Sequence, residues 1–355
     1  MNRRSFLQLA AAPAFAASGE DLNFSAMVQP VPRIAVLADE NYYIWCGAPI
    51  RSDDGRYHLY YSRWPRSYGH NSWATSSEIA HAVSERPLGP YRHRDVVLPA
   101  RGKDYWDGLC THNPNIFRYG KQYCLFYMGN TGDGKITKDL NYSHRNHQRI
   151  GIAIADRPDG PWKRFDRPAL DANPVSGAFD SLMVSNPAGC ARPEGGVLLV
   201  YKGVIDDGSP RGGRVRYGAA TAPAPEGPYT RHPGNIFEAG DAEKVWMLAE
   251  DPYIWRGKDR YYAITRDVVG KFSGAGGGLA LFESRDGFAW GPAAHPKVLD
   301  NQFTWEDGAK SGTKLERPAL LFDGDRPIAL FGAVDVLKDR VRDHSFNVHI
   351  PLKLP

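Results

Sequence analysis

Five times along this chain a proline sits at the opening of an apolar strand: Cys46-Gly47-Ala48-Pro49-Ile50, Thr111-His112-Asn113-Pro114-Asn115, Val184-Ser185-Asn186-Pro187-Ala188, Ala249-Glu250-Asp251-Pro252-Tyr253 and Leu315-Glu316-Arg317-Pro318-Ala319. Successive prolines are 65, 73, 65 and 66 residues apart. A turn and a return strand follow each, as in Tyr57-His58-Leu59-Tyr60-Tyr61 and Tyr123-Cys124-Leu125-Phe126-Tyr127, the pattern of a β-hairpin. A second mark comes later in the unit: Leu88-Gly89-Pro90-Tyr91, Asp159-Gly160-Pro161-Trp162, Glu226-Gly227-Pro228-Tyr229 and the looser Asp286-Gly287-Phe288-Ala289-Trp290. A near-constant all-β period running almost end to end restricts the fold to a radial array. The chain is therefore expected to be all-β, a five-bladed β-propeller whose innermost strands carry the repeated proline.

Length alone would allow two domains in 355 residues, but the repeat argues for one ring over 18–355. Hydrophobic residues at 42% suffice for packed sheets, and a formal charge of +4 is too small to argue for nucleic acid or membrane lipid. No apolar run is long enough to span a bilayer. Residues 1–17, with Arg3-Arg4 ahead of a short apolar, alanine-rich stretch, look like a twin-arginine export signal, which predicts a periplasmic or secreted protein. The four cysteines, Cys46, Cys110, Cys124 and Cys190, have no zinc spacing and read as buried thiols.

In a propeller the first strand of each blade lines the channel, so the residues just before the repeated proline converge at one mouth. That places Gly47, Ala48, His112, Asn113, Ser185, Asn186, Glu250, Asp251, Glu316 and Arg317 around one well. Alternation along a strand forbids Glu250 and Asp251 from both facing inward unless the strand is bulged. Three polar insertions, Ser62 to Ser77, Gly129 to Arg149 and Ile205 to Arg216, supply further candidates. Among them, His70 and the aromatics Trp64, Tyr68 and Trp73, with Trp106 before the second blade, are the expected sugar contacts, and Lys202 joins the substrate-binding set. The cluster of His144, Arg145, His147 and Arg149 suits a carboxylate or sulfate.

These motifs, with Ala178-Phe179-Asp180-Ser181 ahead of the third entrance, resemble the five-bladed propeller glycoside hydrolases of families 43, 32, 62 and 117 over nearly the whole chain. They are most similar to the propeller hydrolases of bacterial polysaccharide-degrading clusters. Family 43 implies inversion, with an Asp base in blade one, a second Asp in blade two and a Glu acid in blade three. This chain offers Gly47-Ala48, His112-Asn113 and Ser185-Asn186 at those places, and its carboxylates Glu250, Asp251 and Glu316 lie in blades four and five. Family 117 implies a histidine acid, for which His112 is the match. The resemblance further implies a structural calcium in the channel, approached by His344, and no required cofactor.

Inversion needs an acid and a base roughly 6.5–9.5 Å apart. The expected pairings set Glu250 or Asp251 against His112, Asp107 or Asp180, the last two lying seven positions before their prolines. The competing structural readings make Asp107 and Asp180 turn formers, His112 a core histidine, and Asp251 or Glu316 a structural partner of Arg317 or Arg266. The function expected is an exo-acting glycosidase on a plant or algal oligo- or polysaccharide. The alternatives are a lyase cutting a uronate through His112 and a tyrosine, and a glycan-binding propeller without catalysis.

Overall fold

The computed structural model describes residues 22–237, 244–311, 314–338 and 341–353. The twin-arginine segment, 1–17, lies outside them. A short lead-in strand, β1 (Val36–Leu37), precedes four blades written consecutively. Blade one is β2 (Tyr42–Arg51), β3 (Tyr57–Pro65), β4 (Glu78–Ser84) and β5 (Arg92–Leu98); blade two is β6 (Cys110–Tyr119), β7 (Gln122–Asn130) and β8 (Arg149–Ala155). Blade three is β9 (Met183–Ala191), β10 (Val197–Val204), β11 (Val215–Ala222) and β12 (Thr230–Arg231), and blade four is β13 (Ala249–Arg256), β14 (Tyr261–Asp267), β15 (Gly278–Ser284) and β16 (Gly291–Leu299). Blade five takes β17 (Leu315–Asp323), β18 (Arg326–Lys338) and β19 (Val341–Pro351) from one end of the chain and β1 from the other. Val36 pairs with Val348 and Leu37 with Asn347, antiparallel, so the ring closes by joining an early strand to a late one.

Blade two has three strands rather than four, and its outer edge is finished by single pairings of Ile154 with Lys163 and Ile150 with Leu170. Each innermost strand packs against the next, and β17 returns to β2. Between neighbouring blades lie five apolar seams. The aromatic of each Gly-Pro turn fills one of them: Tyr91 packs with Leu321 and Phe331 of blade five, Trp162 with Tyr60 of blade one, and Tyr229 with Phe126 of blade two. The looser fourth turn sends Phe288 and Trp290 into the seam with blade three. The seam between blades four and five is topped by Phe24 and Met27 of the lead-in, with Phe303 and Trp305. All four cysteines are buried and free. Among the described residues no helix is long and apolar enough to cross a membrane.

Candidate active site

All five inner strands carry the same irregularity. Three steps along the inner strand oppose two along its partner between Trp45 and Ala48, His112 and Asn115, Ser185 and Ala188, Glu250 and Tyr253, and Glu316 and Ala319. Each is a one-residue β-bulge, and the residue after its start has positive φ: Cys46 (53°), Asn113 (56°), Asn186 (49°), Asp251 (54°) and Arg317 (57°). Asn and Asp tolerate this left-handed region, but Cys46 and Arg317 do so at a cost of order 1–3 kcal/mol. The bulge answers the alternation argument, because it turns Glu250 and Asp251 into the same well.

The bulges also correct the alignment of blade one. Positive φ falls on Cys46, so Gly47, not Pro49, stands where the other blades have proline. The Gly47 N–H donates to Asn347 Oδ1 at 3.2 Å, a bond proline cannot make. Ala48 packs in the seam between blades one and two. The residues equivalent to His112-Asn113 and Glu250-Asp251 are therefore Trp45-Cys46.

The five positive-φ residues form a ring of side chains across the axis. Cys46 Sγ donates to Asn113 Oδ1 (3.1 Å), Asn113 Nδ2 to Asn186 Oδ1 (2.8 Å), and Asn186 Nδ2 to Asp251 Oδ1 (2.6 Å), which Arg317 Nη1 also meets at 2.7 Å. Ser185 Oγ donates to Asn186 Oδ1 as well. Burial pushes the Cys46 thiol up to about 12, against the pull of Arg317. A cavity of about 30 Å³ remains at the ring, so it acts as a floor. The calcium implied by the resemblance does not fit here. Calcium takes six to eight oxygens, whereas the five side chains of this ring are a thiol, two amides, one carboxylate and a guanidinium, too few oxygens for it. His344 is half-exposed and bonds Asp343 at 2.8 Å rather than any ring residue.

Next to the ring lie the residues that start each bulge and their cross-strand partners. Glu250 pairs in register with Arg266, and Ser185 with Lys202. Lys202 Nζ reaches Glu250 Oε1 (3.5 Å), and Arg266 Nη1 bridges Glu250 Oε2 (2.8 Å) and Glu316 Oε1 (3.5 Å). Beyond them Asp335 meets Arg342 (3.0 Å) and His70 (3.5 Å), and Arg342 donates to His70 Nδ1 at 2.8 Å. His112 accepts or donates at Ser77 Oγ (2.7 Å), lies against Trp64 and Trp73, and keeps Nε2 3.9 Å from Cys46 Sγ.

Burial and charge divide these groups. Burial raises the Asp251 carboxyl to about 7 despite Arg317, with Glu250 and Glu316 adding to the rise. At Glu250 the same burial is outweighed by Lys202, Arg317 and Arg266, and the group stays below the usual carboxylate range. Burial lifts Asp335 to about 6. His112 falls well below an ordinary histidine through burial and the charges of Arg317, His70 and Lys202, and His70 falls to about 3. Both imidazoles are thus neutral at pH 7. Asp251 Oδ2, Arg266 Nε and Arg317 Nε are buried without a hydrogen-bond partner.

Several expected site residues lie elsewhere. Asp107 is fully buried between Arg101 Nη2 (2.6 Å), Arg164 Nη1 (3.3 Å) and the Tyr127 hydroxyl (2.7 Å). Asp180 repeats this one blade later, with Arg231 Nε (2.7 Å) and the Tyr201 hydroxyl (2.9 Å). Neither faces Glu250 across the channel, because both are fully buried against arginine and tyrosine. Trp106 stacks on Tyr127 and donates to the Phe165 carbonyl, and Trp64 is buried with its N–H on the His70 carbonyl. Of the loop aromatics, Trp64 and Trp73 lie against the channel residue His112. The cluster at 144–149 is likewise tied down, His144 to Asn130, Arg145 to the Arg211 carbonyl and Arg149 to Asp171. Arg266 was expected only as a structural partner of Asp251 or Glu316, the role it takes with Glu316, and Asp335 and Arg342 were not expected. The only signals for these two were an acid after the apolar run of β18, at Asp335, and a basic residue near the start of β19, at Arg342.

Solved structures that superpose on this chain include glycoside hydrolases. A family 117 glycoside hydrolase from the marine bacterium Zobellia galactanivorans superposes with TM-score 0.60 at 16% identity, over 89% of this chain and 86% of that one. A thermostable family-43 glycoside hydrolase gives 0.60 at 13%, over 93% and 96%. An endo-arabinase from Bacteroides thetaiotaomicron gives 0.52 at 12%, over 92% and 98%. At such identities the likeness establishes the five-bladed propeller. No protein-family model and no curated protein matches the sequence.

Proposed function

We propose that the channel mouth is the active site of a glycoside hydrolase. The carrying observation is the pair Glu250 and Asp251, adjacent on one bulge and pushed to opposite sides of the ordinary carboxyl range. A glycosidase needs one carboxyl that holds a proton and one that does not, and divergent environments are how one site supplies both. In this reading Glu250, held ionised by Lys202 and Arg266, is the base or nucleophile, and Asp251 carries the proton toward the leaving oxygen. Glu316, on the same Arg266, orients Glu250 through that shared guanidinium. Neutral His112 and Trp73 form the wall against which a sugar ring packs, and Asn113, Asn186, Ser185, Arg317 and Lys202 supply its hydrogen bonds.

Exo action, on a chain end presented to the Cys46-to-Arg317 floor, is part of the proposal. A screen of plant and algal oligosaccharides with the wild type, Glu250→Gln and Asp251→Asn tests the assignment. Reducing-end release by the wild type and its loss in both variants is the expected result. Tight calorimetric binding with no turnover in the wild type would make the propeller a glycan-binding module. An unsaturated product absorbing in the ultraviolet would make it a lyase.

Export through a twin-arginine route is the accompanying proposal, supported by Arg3-Arg4 and the alanine-rich stretch that follows. Replacing both arginines with lysine is expected to hold the protein in the cytoplasm on cell fractionation.

A further inference from the structure

A second group of chemistry-bearing side chains lies at the seam between blades one and two, outside the channel. His58 on β3 and His81 on β4 are both fully buried. Their ring planes differ by 9°, and His58 Nδ1 meets His81 Nε2 at 2.8 Å. His58 Nε2 is 3.1 Å from Ser52 Oγ, which in turn contacts Asp54 Oδ1. At the other end His81 Nδ1 lies 3.3 Å from Asp95 Oδ1. The Gly-Pro turn of blade two brings Asp159 Oδ1 to 3.9 Å from His58 Nδ1, with Arg94 also on that carboxylate.

Counting protons along this file exposes a deficit. Asp54, Ser52, His58, His81 and Asp95 make four successive contacts, but one hydroxyl and two neutral imidazoles supply three protons. The shortfall shows at His81 Nδ1 and Asp95 Oδ1, which face each other buried and without a hydrogen-bond partner. A cation between the two inner ring nitrogens removes it. Each of those nitrogens then offers a lone pair, and all three protons serve the remaining contacts: His58 Nε2–H to Ser52, Ser52 O–H to Asp54, and His81 Nδ1–H to Asp95. Histidine ligands with the far N–H on a hydroxyl or carboxylate are the usual support of a metal centre.

We propose that His58, His81 and Asp159 bind one divalent transition-metal ion of the zinc type, with Ser52 and Asp95 orienting the imidazoles. One ligand atom from each of the three lies within 4.8 Å of the others. Two imidazoles and a carboxylate suit zinc, with a fourth position left for water. Tetrahedral ligands about 2.0–2.1 Å from zinc stand roughly 3.4 Å apart, so the two rings open by about 0.6 Å on loading. The half-exposed rim formed by Asp95 and Asp159 gives the ion a way in. Because Asp159 belongs to blade two and the histidines to blade one, the ion staples neighbouring blades.

The test uses the full chain, stripped with a chelator and titrated with Zn²⁺ by calorimetry and thermal melting. One equivalent per chain and a Tm rise of roughly 3–6 °C are expected. Co²⁺ in its place is expected to give the visible absorption of a four-coordinate site. His81→Gln should abolish that equivalent. Asp95→Asn, at the solvent rim where folding is not at risk, should weaken it about 10–100-fold. Equal zinc uptake by wild type and both variants, or no stoichiometric uptake by the wild type, overturns the proposal. So does a Tm that rises on acidification alone with no metal bound, which would give the missing place in the file to a proton.

Discussion

Asp107 and Asp180 occupy matching positions in blades two and three, and Glu250 and Glu316 matching positions in blades four and five. The first two have no exposure and face arginine and tyrosine from their own or neighbouring strands. The second two retain side-chain exposures of 17% and 13% and share one arginine at the channel mouth. The difference is one of position on the blade. A carboxylate in the connector before an inner strand meets the Tyr and Arg of the sheet interior, whereas one that opens the bulge meets the open well. Chemically equal groups become a brace in one place and partly exposed lining of the channel mouth in the other.

Substitutions can break that comparison. The largest effect is expected for Glu250→Gln, a loss of about 10²–10⁴-fold in kcat on whichever glycoside is turned over, with an unchanged circular dichroism spectrum. Asp107→Ala should do the reverse. Removing one partner of a buried ion cluster costs about 3–5 kcal/mol, visible as a lower urea midpoint, while kcat of the surviving folded fraction holds. If Asp107→Ala lost activity without stability, the division between brace and site would fail.

Asp251 sharpens the contrast through pH. Its unfolded form loses its proton near 3.8, whereas the folded group holds it to about 7. Between those values the native state binds the extra proton, so stability falls as pH rises from about 4 to 7 and levels off above. Asp251→Asn should flatten that slope in denaturant titrations, and in the wild type kcat should decline above about pH 7. The smallest effect belongs to the exposed pair Arg33 and Asp307, 2.6 Å apart. Arg33→Ala should shift stability by less than about 1 kcal/mol.

The ring was legible in the sequence because its marker is backbone chemistry. Pro114, Pro187, Pro252 and Pro318 recur where the bulge leaves no use for an N–H, and the Gly-Pro-aromatic turns recur where a seam needs a plug. The same marker misled at blade one. Gly47 uses its N–H on Asn347, so no proline is possible there, and the nearby Pro49 drew the alignment two residues off. The acids of the mouth were found because they flank the marker. Arg266 and Arg317 were legible as partners of those acids, but Asp335 and Arg342 were not, because they are placed by cross-strand register and by contacts with a neighbouring blade. Asp107 and Asp180 were drawn into the site by spacing alone, which says nothing of the Tyr127 and Tyr201 hydroxyls waiting for them.

The hydrogen bonds of Val36 and Leu37 to Val348 and Asn347 join segments more than three hundred residues apart. On a ribosome the lead-in emerges first and must wait, with its strand edge open, until β19 follows at the far end of synthesis. Four blades can assemble in order, but the circle locks in a single late event. Clipping either end therefore unlatches the whole wheel rather than fraying one spoke.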